Sequence, residues 1–363
     1  VSVMGRTSKY IEIADLLSQQ IADAVFPDGR LPTEAQLCCK FSVSRPTVRQ
    51  ALALLEQRGL ISKVQGSGTY INQDALVRFN PVGNNVGLII TYLDDYIYPP
   101  IINGIERVLR DHGYSLLLSI TKNAVDLEVN AIRNMLSQNV CGLIVNPTKS
   151  VLPSIADTWY KQIEAAQVPC LFINSRLPNF HFSYVEMDDY AVGQQMTEYL
   201  IQHGHTKITG IFKADDLQGH QRYFGFLKCM QSHHIPLCSK SMFWYTTEDM
   251  NDIFSGDFDE IFWRRIKDCT AIVCYNDKIA QQIKHVILRK GFHVPKDYSV
   301  ISVDNSRLAE LYDLTSIDHP KEKMGMAAAE ALLQLLEDPY KNVTKIFDAE
   351  LIERGSVACC SME

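Results

Sequence analysis

Along the N-terminal part of the chain the apolar positions repeat at helical spacing and then change period. Ile11, Ala14, Leu17, Ile21 and Val25 share one face of a helix predicted over residues 8–25. Thr33 is the expected N-cap of a second helix, with Glu34 in its first turn and Leu37 and Phe41 on its apolar face. Ser42-Val43-Ser44 breaks that pattern. A third helix opens at Arg45-Pro46-Thr47, where proline suits the first turn because its missing N–H has no partner there. Val48, Leu52 and Leu55 form its buried stripe. From Gly59 to Ile71 the pattern becomes two strands around a Gln65-Gly66-Ser67-Gly68 tip. Asn72 to Asn85 is polar, holds Pro81 and Gly83, and reads as a linker.

Beyond the linker, short apolar runs alternate with amphipathic stretches. The runs are Val86–Ile90, Leu116–Leu118, Gly142–Val145, Cys170–Ile173, Ile208–Phe212, Ala271–Cys274 and Val300–Val303. Helices are predicted between them over 101–113, 125–138, 190–204, 219–234, 277–291 and 323–337. Such alternation implies parallel sheets covered by helices on both faces, and the segment is too long for one sheet, so two lobes are expected. The expected organisation is therefore a small head over residues 1–72, a linker over 73–85 and a doubly wound α/β body over 86–363.

The first three helices and the two-stranded ribbon make a winged helix-turn-helix. In such a unit the later helix enters the major groove with its N-terminal residues on base edges. That part carries Arg45, Thr47, Arg49 and Gln50; arginine can pair in bidentate fashion with guanine, and threonine touches a base or a phosphate. The span resembles the DNA-binding domain of the GntR family of bacterial repressors. The resemblance rests on Leu31-Pro32-Thr33-Glu34, on Val43-Ser44-Arg45-Pro46-Thr47-Val48-Arg49, on Gly59-Leu60-Ile61 and on Gly66-Ser67-Gly68-Thr69. The residues expected to face DNA are Lys9, Thr33 and Glu34; Ser44, Arg45, Pro46, Thr47 and Arg49; and Gln65, Gly66 and Gly68 in the wing. The partner implied is double-stranded operator DNA, bound by a homodimer.

Charge sharpens this division. The chain carries a net −7, yet residues 1–72 hold eight Lys/Arg against six Asp/Glu, an excess of +2 that leaves −9 on the rest. A small basic module on an acidic body fits DNA contact by the head alone. No apolar run approaches the roughly 20 residues that span a bilayer, and Lys9, Glu12 and Asp15 interrupt any signal-peptide core, so no membrane partner is expected. None of the ten cysteines forms a C-x-x-C pair, and no histidine cluster has zinc-ligand spacing, so no metal is expected. Cys141, Cys170 and Cys274 lie inside apolar strands, as free thiols of a reducing cytoplasm do.

Open α/β sheets place ligands at strand C-termini. There stand Asp95 and Tyr98, Asn146, Asn174 and Arg176, Asn276 and Asp304, with Arg222 early in a helix facing the same cleft. Carboxylates, amides and guanidiniums each satisfy two hydroxyls of a sugar. The paired acids Asp94-Asp95, Asp188-Asp189 and Asp215-Asp216 also suit a glycosidase, but a hydroxyl-holding cleft uses the same residues without that chemistry. Asp277 is expected to cap the helix 277–291, and His203 and His205 to end a helix and enter a turn.

Residues 86–363 resemble the sugar-binding domain of the LacI/GalR repressors, which shares its fold with periplasmic sugar-binding proteins. The marks are Asp188-Asp189-Tyr190 with Gly193, His203-Gly204-His205, Arg222-Tyr223-Phe224-Gly225-Phe226, Cys274-Tyr275-Asn276-Asp277, and Ser302-Val303-Asp304-Asn305. By that resemblance Arg176, Arg222, Asn276 and Asp304 match positions that hold sugar hydroxyls. A GntR-type head on a LacI-type body, with Gly210–Gly219, resembles the arabinose-responsive repressors of Gram-positive bacteria. It implies a cytoplasmic repressor, not an enzyme, with no cofactor and L-arabinose as small-molecule effector. Another monosaccharide or a nucleoside, and an enzyme fused to such a head, are the alternatives.

Overall fold

The computed structural model describes residues 9–22, 25–26, 28–57, 60–64, 68–72, 83–138, 140–165, 167–237, 242–251 and 257–360. The head packs α1 (Lys9–Ala22), α2 (Glu34–Phe41) and α3 (Arg45–Gln57) with the antiparallel pair β1 (Ile61–Val64) and β2 (Gly68–Ile71). Its core is Ile13, Ala14, Leu17 and Ile21 of α1 against Leu37, Val48, Leu52 and Leu55. Ile13 thus takes the inner position, and Ile11 is only half-buried. Val25 does not extend the stripe: α1 ends at Ala22 and Val25 is 52% exposed. Gly29 to Leu31 lie along β2, with Leu31 N donating to Thr69 O (2.9 Å) and Ile71 N to Gly29 O (2.8 Å).

The body holds two six-stranded sheets. The first contains β3 (Asn85–Ile90), β4 (Ser115–Ile120), β5 (Gly142–Val145), β6 (Cys170–Ile173), β7 (Ser183–Met187) and β13 (Thr344–Phe347), in the order β13-β7-β6-β5-β3-β4, all parallel. The second contains β8 (Ile208–Lys213), β9 (Phe243–Tyr245), β10 (Ala271–Cys274), β11 (Ser299–Asp304), β12 (Thr315–Asp318) and β14 (Glu350–Ile352), in the order β14-β12-β11-β10-β8-β9. Among the described residues of this sheet only β14 runs antiparallel to its neighbour. Strands β5, β6, β8, β10 and β11 are buried along their whole length, because helices cover both faces.

The first lobe carries α4 (Tyr98–Asp111), α5 (Val125–Ser137) and α6 (Asp157–Ala165). The second carries α7 (Asp189–Gln202), α8 (Leu217–Ser232), α9 (Asp257–Ile266), α10 (Asp277–Arg289) and α11 (Arg307–Leu311). The long α12 (Lys321–Glu337) returns to the first lobe and packs on α4. The chain therefore crosses between lobes three times, after β7, after β12 and after β13. Three crossings make a hinge, and the strand C-termini of both sheets face the cleft beside it.

Candidate ligand cleft and DNA-facing helices

The cleft encloses about 620 Å3. Six residues named from strand ends line it, Asp95, Tyr98, Asn146, Asn174, Asn276 and Asp304, together with Arg222 of the helix named beside them. Backbone strain gathers at the same ends, with Asn174 at φ 65° and Asp304 at φ 106°.

Arg222 is 2% exposed. Its Nε donates to Asp189 Oδ1 (2.7 Å) and its Nη1 to Tyr275 O (2.5 Å), while the guanidinium lies 4.7 Å from the centre of the Tyr275 ring. Burial pushes the Asp189 carboxyl up to about 6, even against the pull of Arg222. Asp304 accepts from the Tyr96 hydroxyl at Oδ2 (2.7 Å). Burial raises its carboxyl too, with Arg222 and Lys321 opposing. Lys213, closing β8, is wedged between Asp215 (2.9 Å) and Asp216 (3.1 Å), and the Tyr275 hydroxyl adds a bond to Asp216 (2.7 Å). Burial lowers the Lys213 ammonium, but the two carboxylates outweigh it and hold the proton on.

Three buried acceptor atoms lining the cleft, on residues that follow β3, β5 and β12, have no hydrogen-bond partner among the described residues: Asp95 Oδ1, Asn146 Oδ1 and His319 Nδ1. Asn174 Oδ1 accepts from His319 Nε2 (2.9 Å) and from Gln218 Nε2 (3.2 Å), which puts the histidine proton on Nε2 and leaves Nδ1 as a lone pair. Burial, then Lys321 and Arg222, drive the His319 imidazole down to about 3, so it stays neutral. An orphaned buried acceptor costs roughly 1–3 kcal/mol. Three around one cavity suit a ligand that brings several O–H donors.

Asn276 has two tasks. Its Oδ1 accepts from Ile279 N (3.0 Å) and caps α10, leaving its amide to the cleft. The cap expected of Asp277 therefore falls to Asn276. Asp277 instead binds Ser302 Oγ, Ser316 Oγ and Ser306 N, tying α10 to β11, β12 and the loop after β11. Tyr98 is buried, with its hydroxyl bonded to Thr91. Arg176 does not reach the cleft. Asn174 turns left-handed, so Ser175 faces inward and Arg176 points away, its Nε on Glu186 of β7 (3.1 Å) and its guanidinium 4.5 Å from the Tyr184 ring centre. Lys213, Tyr96 and His319 were missed from sequence. A charged residue ending the apolar run of β8 was the one available signal, for Lys213.

The lobes also touch directly. Tyr96 reaches Asp304, Gln218 reaches Asn174, Leu217 N donates to Ser150 Oγ (2.8 Å), Asn123 Nδ2 donates to Thr247 Oγ1 (2.5 Å), and Lys149 pairs with Glu248. Each of these bonds joins the two lobes across the cleft. Of the expected helix-end histidines, His203 caps α7, and His205 bonds Thr270 and Ser299 inside the second lobe.

In the head, Thr33 caps α2 through a reciprocal pair with Gln36, and Ser42 closes that helix at φ 52°. The turn delivers Ser44 to Thr47, with hydroxyls 2.9 Å apart. Pro46 lies exposed in the first turn of α3. Arg45 and Arg49 are exposed there, and Glu34 of α2 holds Arg49 Nε at 3.0 Å. Lys9 is exposed at the start of α1. Gly68 takes φ 135°, and a Cβ on it would meet the Arg30 guanidinium at 2.7 Å. Gln65 and Gly66 lie outside the described residues.

A DNA-reading head joined to a two-lobed, hinged body with a polar cleft defines a ligand-responsive transcription regulator rather than an enzyme. Residues 9–71 match the family of bacterial regulatory proteins, gntR family, and residues 197–357 match the periplasmic binding protein-like domain. The chain is 37% identical to the arabinose metabolism transcriptional repressor of Geobacillus stearothermophilus, over 96% of this chain and 97% of that protein. It is 35% identical to that of Halalkalibacterium halodurans, over 97% of each. The solved structure of transcriptional regulator CelR with cellobiose superposes with a TM-score of 0.68 at 19% identity, covering 86% of this chain and 91% of that one, which shows the shared fold. The chain belongs to the family of arabinose metabolism transcriptional repressors.

Proposed function

We propose that this chain works in the cytoplasm as a homodimer that binds a pseudo-palindromic operator and leaves it when L-arabinose fills the cleft. The head would comprise residues 1–72, the linker 73–85 and the sugar-binding and dimerising body 86–363. The three unpaired acceptors Asp95 Oδ1, Asn146 Oδ1 and His319 Nδ1, lining the same cleft as Arg222 and Asp304, carry the sugar reading. They ask for hydroxyl hydrogens, and the buried arginine answers with N–H donors for hydroxyl oxygens. The choice of L-arabinose rests on the names of the relatives. The dimer is supported by the helix-turn-helix head, which reads paired half-sites as a two-fold pair.

The mechanism is a population shift. Sugar bonded to both lobes favours the arrangement in which they meet, and hinge movement changes the spacing of two heads that must match two half-sites. A thermal-shift panel of monosaccharides and nucleosides tests the effector. A ligand at 100 times its Kd adds about 2.7 kcal/mol of stability. Stabilisation by L-arabinose, with loss of operator binding in a gel shift, is the expected result. A response only to another sugar or a nucleoside would replace the effector, and no response to any would remove the sugar reading.

A further inference from the structure

We propose that Glu198, Cys229 and His233 form a binding site for one divalent transition cation, of which Zn2+ fits best. The site lies on the α7–α8 face of the second lobe. The two helices run side by side at backbone contact. A Cβ on Gly193 would fall 2.0 Å from the Arg222 carbonyl oxygen, and one on Gly225 would fall 2.0 Å from that of Tyr190. That close approach brings Glu198, a turn and a half beyond Gly193, up to Cys229, one turn beyond Gly225.

Cys229 in the last turn of α8 and His233 at its C-cap, whose N–H still bonds Cys229 O, stand four residues apart and so project from one face, the spacing by which a helix offers two ligands to one ion. Both converge on Glu198 Oε2, with Cys229 Sγ at 3.5 Å and His233 Nε2 at 2.7 Å. The three ligand atoms all lie within 4.8 Å of one another. Ligand atoms on one tetrahedral zinc stand roughly 3.2–3.8 Å apart, given bonds of about 2.0–2.3 Å. Small side-chain rotations therefore open the cradle without moving the helices. The thiol and the imidazole now share a single acceptor. A cation in their place takes a thiolate, an imidazole nitrogen and a carboxylate oxygen; the thiol proton leaves to solvent and the imidazole proton rides on Nδ1. A fourth position is left for water. This S/N/O set suits Zn2+, whereas Mg2+ and Ca2+ demand oxygen. Cys229 forms the buried floor, and His233 and Glu198, each about 40% exposed, leave the entrance open to solvent. Arg222 and Asp189 join the same two helices near their N-terminal ends, so the cation would clamp the pair near the other end.

The test uses the full chain stripped with a chelator and titrated with Co2+ alone, then with Zn2+. One Co2+ per chain with a near-ultraviolet sulfur-to-cobalt band, displaced by Zn2+, is expected. The band should vanish in Cys229→Ser, in which Cys39 and Cys359 still offer exposed thiols. His233→Asn, a surface change that keeps the test valid if the serine variant misfolds, should weaken zinc binding beyond the roughly 10–100-fold that loss of a supporting bond alone costs. Zn2+ should raise Tm in the parent chain and not in either variant. Absence of a stoichiometric band, its survival in Cys229→Ser, or unchanged affinity in His233→Asn would each overturn the site.

Discussion

Asp304→Asn isolates the carboxylate charge in the cleft. Asp304 sits at φ 106°, where alanine would add backbone strain, whereas asparagine is among the non-glycine residues that tolerate positive φ best. An amide oxygen can still accept from Tyr96, so the contact between lobes is kept. What disappears is the negative charge that Arg222 and Lys321 face and that a pair of sugar hydroxyls would meet. A hydrogen bond to a charged group contributes about 1.5–3 kcal/mol. Sugar affinity should therefore fall roughly 10- to 150-fold. Burial opposes the ionised carboxylate, so its removal should not lower the Tm of the sugar-free chain. The head is untouched, and operator affinity without sugar should match the parent. Calorimetry for sugar and a gel shift for operator, on one preparation, check both. Parental sugar affinity in the variant would refute the reasoning, and loss of both activities would make Asp304 a structural hinge residue instead.

The other predictions concern charge elsewhere in the molecule. Glu128, 1% exposed, is held up to about 7 by burial, against the opposing bonds from Tyr160 and Thr148, both of which reach Oε1. Glutamine can accept both bonds. A raised carboxyl favours folding fully below its unfolded value and loses that contribution as pH climbs through about 7. Glu128→Gln should therefore gain on the parent by up to about 3 kcal/mol between pH 4.5 and 7, and a Tm difference that is flat with pH would contradict this. Lys213→Met leaves Asp215 and Asp216 without their buried cation and should destabilise the second lobe by about 3–5 kcal/mol, seen in thermal unfolding. Arg45→Ala and Arg49→Ala should each weaken operator binding by about 1–3 kcal/mol if the side chain reads a base; for a phosphate contact, the salt slope should drop by about one unit. Unchanged binding in both would move the recognition surface elsewhere.

The sequence showed most where the physics is local. Continuous apolar runs such as Val86–Ile90 and Val300–Val303 announce strands buried on both faces, and β3 and β11 lie there within a residue or two. Helices α5, α10 and α12 begin within two residues of their predicted starts, because apolar periodicity is short-range. Strands β7 and β12 escaped notice because Ser183, Glu186, Thr315 and Ser316 break the apolar pattern. Those residues are spent on contacts distant in sequence, Ser316 on Asp277 and Glu186 on Arg176. The cleft divides in the same way. Strand ends could be listed from sequence, but Arg176 was lost to a partner on the next strand. Tyr96 and His319 entered because the fold brings them to Asp304 and Asn174. Of the Glu198–Cys229–His233 group the sequence holds only the four-residue spacing of Cys229 and His233; Glu198 joins them because α7 packs on α8.

Coupling between cleft and head is the central claim, and it has one direct test. The affinity of full-length protein for an operator duplex is measured with and without saturating L-arabinose, and the affinity for L-arabinose with and without saturating duplex. Linkage requires that each ligand weaken the other by the same factor, about 5- to 150-fold for typical coupling energies of 1–3 kcal/mol. Equal reductions in both directions are the predicted result; L-arabinose binding that leaves operator affinity unchanged would contradict the account.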